Sequence, residues 1–149
     1  VPTVPDTVNR DDAVIPVDQP RAEFVHWLIA NLPADCHQLP NGSCAQGIVP
    51  RGKQAPPGPA GSVQGINDYT GWFAGDADMA GDYLGYDGPC PPYNDARLHR
   101  YYFRLHALDV AQLALPERFT AADLIAAMEG HVLGQAEFFG TYTNNAAML

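Results

Sequence analysis

From His99 to Asp109 the side chains alternate in character with a period of two. His99, Tyr101, Phe103, Leu105 and Ala107 fall on one side, and Arg100, Tyr102, Arg104, His106 and Leu108 on the other. Successive residues of a strand point to opposite faces of a sheet, so this run predicts a strand with one apolar face. That face is apolar except at its start. The pattern predicts His99 and the Tyr101 hydroxyl at the mouth of an apolar interior, with Arg100 and Arg104 facing water or a partner element. A further strand is predicted over residues 24–31, where apolar residues on both sides point to burial in a two-layer structure. The run Asn31-Leu32-Pro33-Ala34-Asp35 ends it. Residues 131–142 alternate again, with Val132, Ala136, Phe138 and Tyr142 on one side. Gly134 and Gly140 allow a bulge or a close approach in this last strand.

One helix is predicted before that strand. Thr120 can cap it, Asp123 sits near the positive end of its dipole, Leu124 and Met128 share a face, and Gly130 is a natural stop. Residues 1–23 carry Pro2, Pro5, Pro16 and Pro20 and are expected to be an irregular segment. Residues 40–92 are rich in Gly and Pro with little periodicity, and are expected to form a long loop region. A short helical turn is expected within it near residues 78–84. At 149 residues the chain fits a single domain, 1–149. The outline is mostly β: a β-sandwich with one minor helix.

Composition narrows the partners. The net charge is −9, with one lysine, Lys53, and seven arginines. Nucleic-acid binding needs clustered basic residues, so no nucleic-acid partner is expected. Adhesion to anionic membranes is disfavoured for the same reason, and no apolar run is long enough to span a bilayer. Any bound anion must be held locally, against the overall field. Cys36, Cys44 and Cys90 are an odd count. A Cys36–Cys44 bridge would close a short loop, but reduced thiols are the expectation, and with them a cytoplasmic setting. The chain begins at Val1 rather than Met, which is compatible with a removed leader and a periplasmic or secreted location.

The best candidate site follows from Gly88-Pro89-Cys90-Pro91-Pro92, placed just before His99-Arg100-Tyr101. Three prolines stiffen the loop that delivers a histidine and a tyrosine to the start of a strand. A second histidine, His26, lies inside the predicted strand over 24–31. Imidazole N–H and tyrosyl O–H groups beside a rigid loop are what a small anion pocket requires. Taken alone, His26 reads as a core histidine bonded to backbone. Cys90 with His99 as base would be a nucleophile and base pair. Zinc spacings, GxSxG, the P-loop and the Rossmann glycine fingerprint are all missing, so neither a metal nor an organic cofactor is expected.

Several segments together resemble the phosphatidylethanolamine-binding protein family, and its bacterial Raf-kinase-inhibitor-like branch in particular. They are Phe24-Val25-His26-Trp27-Leu28-Ile29-Ala30-Asn31-Leu32-Pro33-Ala34, Gln64-Gly65-Ile66-Asn67-Asp68-Tyr69, Gly85-Tyr86-Asp87-Gly88-Pro89-Cys90-Pro91-Pro92, His99 through Asp109, and Gly130-His131-Val132-Leu133 through Gly140-Thr141-Tyr142. Their order makes the match specific over most of residues 24–142. The resemblance implies an antiparallel Greek-key β-sandwich. It also implies a pocket for phosphate-like anions and phosphorylated headgroups. His26 matches the histidine of the family's first block. Gly88, Cys90, Pro91 and Pro92 match its loop wall, and His99 and Tyr101 match its second block. The family's Asp-Pro-Asp-x-Pro motif is represented only by what resembles its tail, Val1-Pro2-Thr3. The pocket aspartate then has no counterpart, and its role is not transferred to Asp11 or Asp12. Residues 4–21 and the stretch from Tyr69 to Gly85 are expanded relative to the family.

These readings lead to one expected function: non-enzymatic binding of phosphate, phosphorylated headgroups or phosphorylated residues, with modulation of a kinase or protease as its extension. The alternatives are a Cys/His-dependent hydrolase or transferase and a structural interaction domain with a vestigial pocket. The resemblance implies that the chain corresponds to the C-terminal part of the family domain, and a sheet lacking the N-terminal strands would expose long edges. A companion N-terminal fragment or a homo-oligomer is therefore the expected macromolecular partner.

Overall fold

The alternation at 99–109 and 131–142 is realised as a two-stranded ribbon, and the regular elements of the protein are mostly strand. The computed structural model describes residues 1–45 and 49–149. Residues 46–48, part of the loop region expected over 40–92, lie outside the described residues. The strands are β1 (Ile29–Ala30), β2 (Val63–Gln64), β3 (His99–Leu108) and β4 (Val132–Tyr142). The helices are α1 (Tyr69–Trp72) and α2 (Ala121–Met128), with 3-10 turns at Pro5–Thr7 and Ala146–Met148. β1 pairs antiparallel with β2, and β3 pairs with β4. The contacts Tyr102–Phe139, Phe103–Phe138 and Arg104–Glu137 run in opposite directions along the second pair, which makes it antiparallel.

Two compact units are formed. The first comprises Val1–Phe24, Pro89–Leu105 and Gln135–Leu149, and the second Val25–Gly88 and His106–Gly134. In the first unit the buried residues are few: Pro2, Ile15, Pro91 and Pro92 with the polar Asn94, Asp95 and Thr143. Ile15 is fully buried together with Asp95, and Asn94 and Thr143 are nearly so. Residues 1–23 are irregular but stapled in place. Asn94 Nδ2 donates to the carbonyls of Thr7 and Ala13, and its Oδ1 accepts from the Asn9 amide.

The apolar side expected for β3 holds only at its start. His99, Tyr101 and Phe103 are half-buried while Arg100, Tyr102 and Arg104 are exposed. From Leu105 the phase reverses: Leu105 and Ala107 are exposed, and His106 and Leu108 are half-buried. Every residue of β4 is exposed, Phe138 and Leu133 to 67% and 72%. Alternation fixes which side chains share a face, but a face is buried only where another layer covers it.

In the second unit the strand expected over 24–31 is extended chain that enters a ladder only at β1. Its other partners are separate short segments. The Val25 amide donates to the Asp68 carboxylate, the Asp68 amide to Val25 O, the Asp87 amide to His26 O, and the Gly65 amide to Leu28 O. These segments belong to the Gly/Pro-rich region. Proline has no amide hydrogen, so the region cannot build a continuous ladder. Buried polar side chains supply the missing partners. Gln64 Nε2 donates to Pro56 O and its Oε1 accepts from the Trp27 indole. Asn67 Nδ2 donates to Gly85 O. Helix α1 lies within this region, and the turn expected near 78–84 is met at its start, where the Ala80 amide donates to Asp76 O at 2.9 Å. Gly65 is required for close approach, since a Cβ there would lie 2.5 Å from Phe119 Cε2 and 2.6 Å from its carbonyl oxygen. Helix α2 begins as expected, in a complete capping box between Thr120 and Asp123. Gly130, at φ +80°, stands just beyond its end.

Candidate functional site

Pro91 and Pro92 are buried, whereas Cys90 is exposed and its thiol is free. The Asp95 amide donates to Pro92 O at 3.1 Å, and Asn144 Nδ2 donates to Pro91 O at 2.9 Å. The proline loop thereby ends in a turn that sets Asp95 four residues before His99. Asp95 is 1% exposed. Its Oδ1 accepts from Arg21 Nη2 at 2.7 Å and from the Arg97 amide at 2.9 Å, and its Oδ2 is 2.8 Å from His99 Nε2. Burial pushes the Asp95 carboxyl upward. The hydrogen bonds from His99, the Arg97 amide and Arg21 outweigh that and hold it below the usual carboxylate value. The His99 ring stacks on Tyr101, centroids 6.4 Å apart. Within the first unit, then, four residues named from sequence are brought together, Pro91, Pro92, His99 and Tyr101, with a carboxylate that was not foreseen.

That carboxylate is neither Asp11 nor Asp12. Asp11 accepts from the Tyr93 hydroxyl, and Asp12 forms an exposed pair with Arg10. The available signal was local: an acid four residues before the histidine, just after Pro-Pro. Arg21 carried no signal, because its approach depends on the path of an irregular segment.

In the second unit, His26 Nδ1 lies 2.7 Å from the carbonyl oxygen of Asp87, and Tyr69 meets the ring edge-on at 5.5 Å. A carbonyl only accepts, so Nδ1 carries the proton. Asp87 itself is buried and pairs with Lys53 at 2.7 Å. Gly88 follows it and is exposed. Lys53, Asn67 and Asp87 were not identified as site residues from sequence.

Burial lowers the His26 imidazole below its ordinary value of 6.5, and the Asp87 carbonyl and carboxylate only partly oppose this. The folded protein therefore prefers the neutral ring. The stability contributed by this site is complete above pH about 6.5 and is lost as the pH falls toward the folded value. Urea midpoints measured at pH 7.5 and 5.5 are expected to drop less in His26→Gln than in the parent protein. An equal drop in both proteins would show that another group carries the effect.

Among the described residues no three His, Cys, Asp or Glu side chains are grouped to hold a metal ion. No helix among them is long and apolar enough to cross a membrane.

Comparison with known proteins shows the family. A family model described as phosphatidylethanolamine-binding protein matches residues 7–143. A UPF0098 protein of Methanothermobacter thermautotrophicus is 39% identical over 125 residues, covering 84% of this chain and 66% of that protein. A UPF0098 protein of Pyrococcus abyssi is 34% identical over 137 residues, covering 90% of this chain and 65% of its own. Among solved structures, Escherichia coli YbcL, described as a new member of the mammalian PEBP family, superposes with a TM-score of 0.56 at 25% identity. That match covers 80% of this chain and 61% of YbcL. The chain thus spans about two thirds of the length of these relatives.

Proposed function

Since this chain belongs to the phosphatidylethanolamine-binding protein family, with the family match running from residue 7 to 143, we propose that it binds phosphate-like anions or phosphorylated headgroups without turning them over. One observation carries this reading. His99 is held through Nε2 by the buried Asp95, beside Tyr101, and Asp95 is itself fixed by a turn from the buried Pro92. A preset imidazole and phenol lose little conformational entropy on meeting a ligand. A hydrogen bond from a charged imidazole to an anion is roughly twice as strong as a neutral one. Within the first unit the proposed ligand contacts are Cys90, Pro91, Pro92, His99 and Tyr101.

Two wider assignments rest on the family. The complete arrangement is an antiparallel Greek-key sandwich, supported by the likeness to YbcL. Its physiological use is modulation of a kinase or protease. The fully exposed β4 supports completion of the sheet by further strands, from a companion polypeptide or a second copy.

Titration with inorganic phosphate and phosphoethanolamine, followed through the imidazole NMR signals, tests the binding reading. The His99 signals are expected to shift with saturation, and His99→Ala is expected to weaken binding by about tenfold or more. Unchanged spectra at high ligand concentration would remove the proposal. Turnover of phosphoesters that is lost in Cys90→Ala would replace it with an enzymatic one.

A further inference from the structure

His26 and Asp87 grip each other twice. The Asp87 amide donates to His26 O at 3.1 Å, and the His26 ring donates through Nδ1 to Asp87 O at 2.7 Å. The carboxylate of the same aspartate is anchored from two sides. Lys53 Nζ lies 2.7 Å from Oδ1, and Asn67 Nδ2 lies 2.7 Å from Oδ2. Both anchors also bind backbone: Lys53 Nζ donates to Tyr86 O at 3.1 Å, and Asn67 Nδ2 to Gly85 O at 3.1 Å and to His26 O at 3.4 Å. Lys53 is 3% exposed. Burying an ammonium and a carboxylate together yields little net stability, because desolvation consumes most of the Coulombic gain. What the pair does supply is geometry: Asp87 is held at its carboxylate while its carbonyl faces the imidazole.

We infer that Lys53 and Asn67 are positioning residues for His26, acting through Asp87 to hold the neutral ring in its Nδ1–H tautomer. The tautomer puts the basic lone pair on Nε2 and makes that nitrogen the one that takes up a second proton. The link to ligand binding rests on the anion-binding reading above. The positioning itself is a property of the ligand-free protein.

Long-range proton–nitrogen correlation spectra of the full chain without ligand, at about pH 8 where imidazole is neutral, show which ring nitrogen carries the proton. Protonation of His26 at Nδ1 is expected in the parent protein. In Lys53→Met and in Asn67→Ala the ratio of Nδ1–H to Nε2–H is expected to fall by about tenfold, the worth of one net hydrogen bond. Lys53→Arg, which keeps the charge, is expected to restore the parent ratio. Asn67→Ala leaves the Lys53–Asp87 ion pair in place and serves if Lys53→Met does not fold. An unchanged ratio in Asn67→Ala together with an unchanged ratio in any folded Lys53→Met would overturn the inference, as would an Nε2–H tautomer in the parent. A phosphate titration of the parent that shows no response would sink the binding reading alone, since the tautomer is read without ligand.

Discussion

Asp95→Ala is expected to destabilise the protein by about 3–5 kcal/mol, the usual result of deleting one partner of a buried ion pair. The substitution strips Arg21, whose side chain is 11% exposed, of its carboxylate partner, and His99 of its Nε2 partner. It also falls in a unit whose buried set offers little apolar area as compensation, with Ile15 the fully buried aliphatic residue. The isosteric Asp95→Asn keeps part of the hydrogen bonding and is expected to lose less. Because the folded carboxyl is held below its unfolded value of about 3.9, the stability it contributes is present above that pH. It is lost as the pH falls through the folded value, so the gap between the parent and Asp95→Ala should narrow in acid. Urea unfolding at pH 7 and pH 3 measures both effects. A loss below 1 kcal/mol at pH 7 would show that Asp95 is not the centre of its unit.

Phe119→Ala is expected to lose a similar amount, about 3–5 kcal/mol, by a different mechanism. Phe119 is 1% exposed, and its ring lies where any side chain at Gly65 would have to go. Its carbonyl accepts from the Ile66 amide at 2.9 Å. Truncation removes a large apolar side chain and leaves a cavity that this backbone contact prevents from collapsing. Phe138→Ala is the comparison. That ring stacks on Phe103 at 4.8 Å but is 67% exposed, and its loss is expected to stay within about 1 kcal/mol. Denaturant midpoints at unchanged m-value decide between a stability change and a change in the unfolded state. Equal effects at the two phenylalanines would contradict the burial assigned to them.

Much of the local geometry around the candidate residues was legible because its signals are local. Pro91 and Pro92 stiffen their loop wherever it goes, and His99 and Tyr101 share a face in any strand. The Thr120–Asp123 capping box was readable for the same reason: its partners are three residues apart. The supports of the two histidines were not legible. Arg21 reaches Asp95 across 74 residues, and Lys53 reaches Asp87 across 34. No periodicity encodes such separations. Lys53 carried no signal of its burial, since lysine is rarely buried.

The order of the β3 alternation, the helix cap and the proline loop were set by residue type and near-neighbour geometry, which depend on the chain alone. Which face of β3 is covered, and where that cover changes sides at Leu105, depends on other segments of chain and could not be written into a period of two. The same holds for the ring nitrogens. His26 is bound through Nδ1 and His99 through Nε2 because of which acceptor the tertiary fold brings to each ring, a carbonyl in one case and a carboxylate in the other. A histidine's identity comes from the gene, and its working nitrogen is decided by the partner that folding delivers.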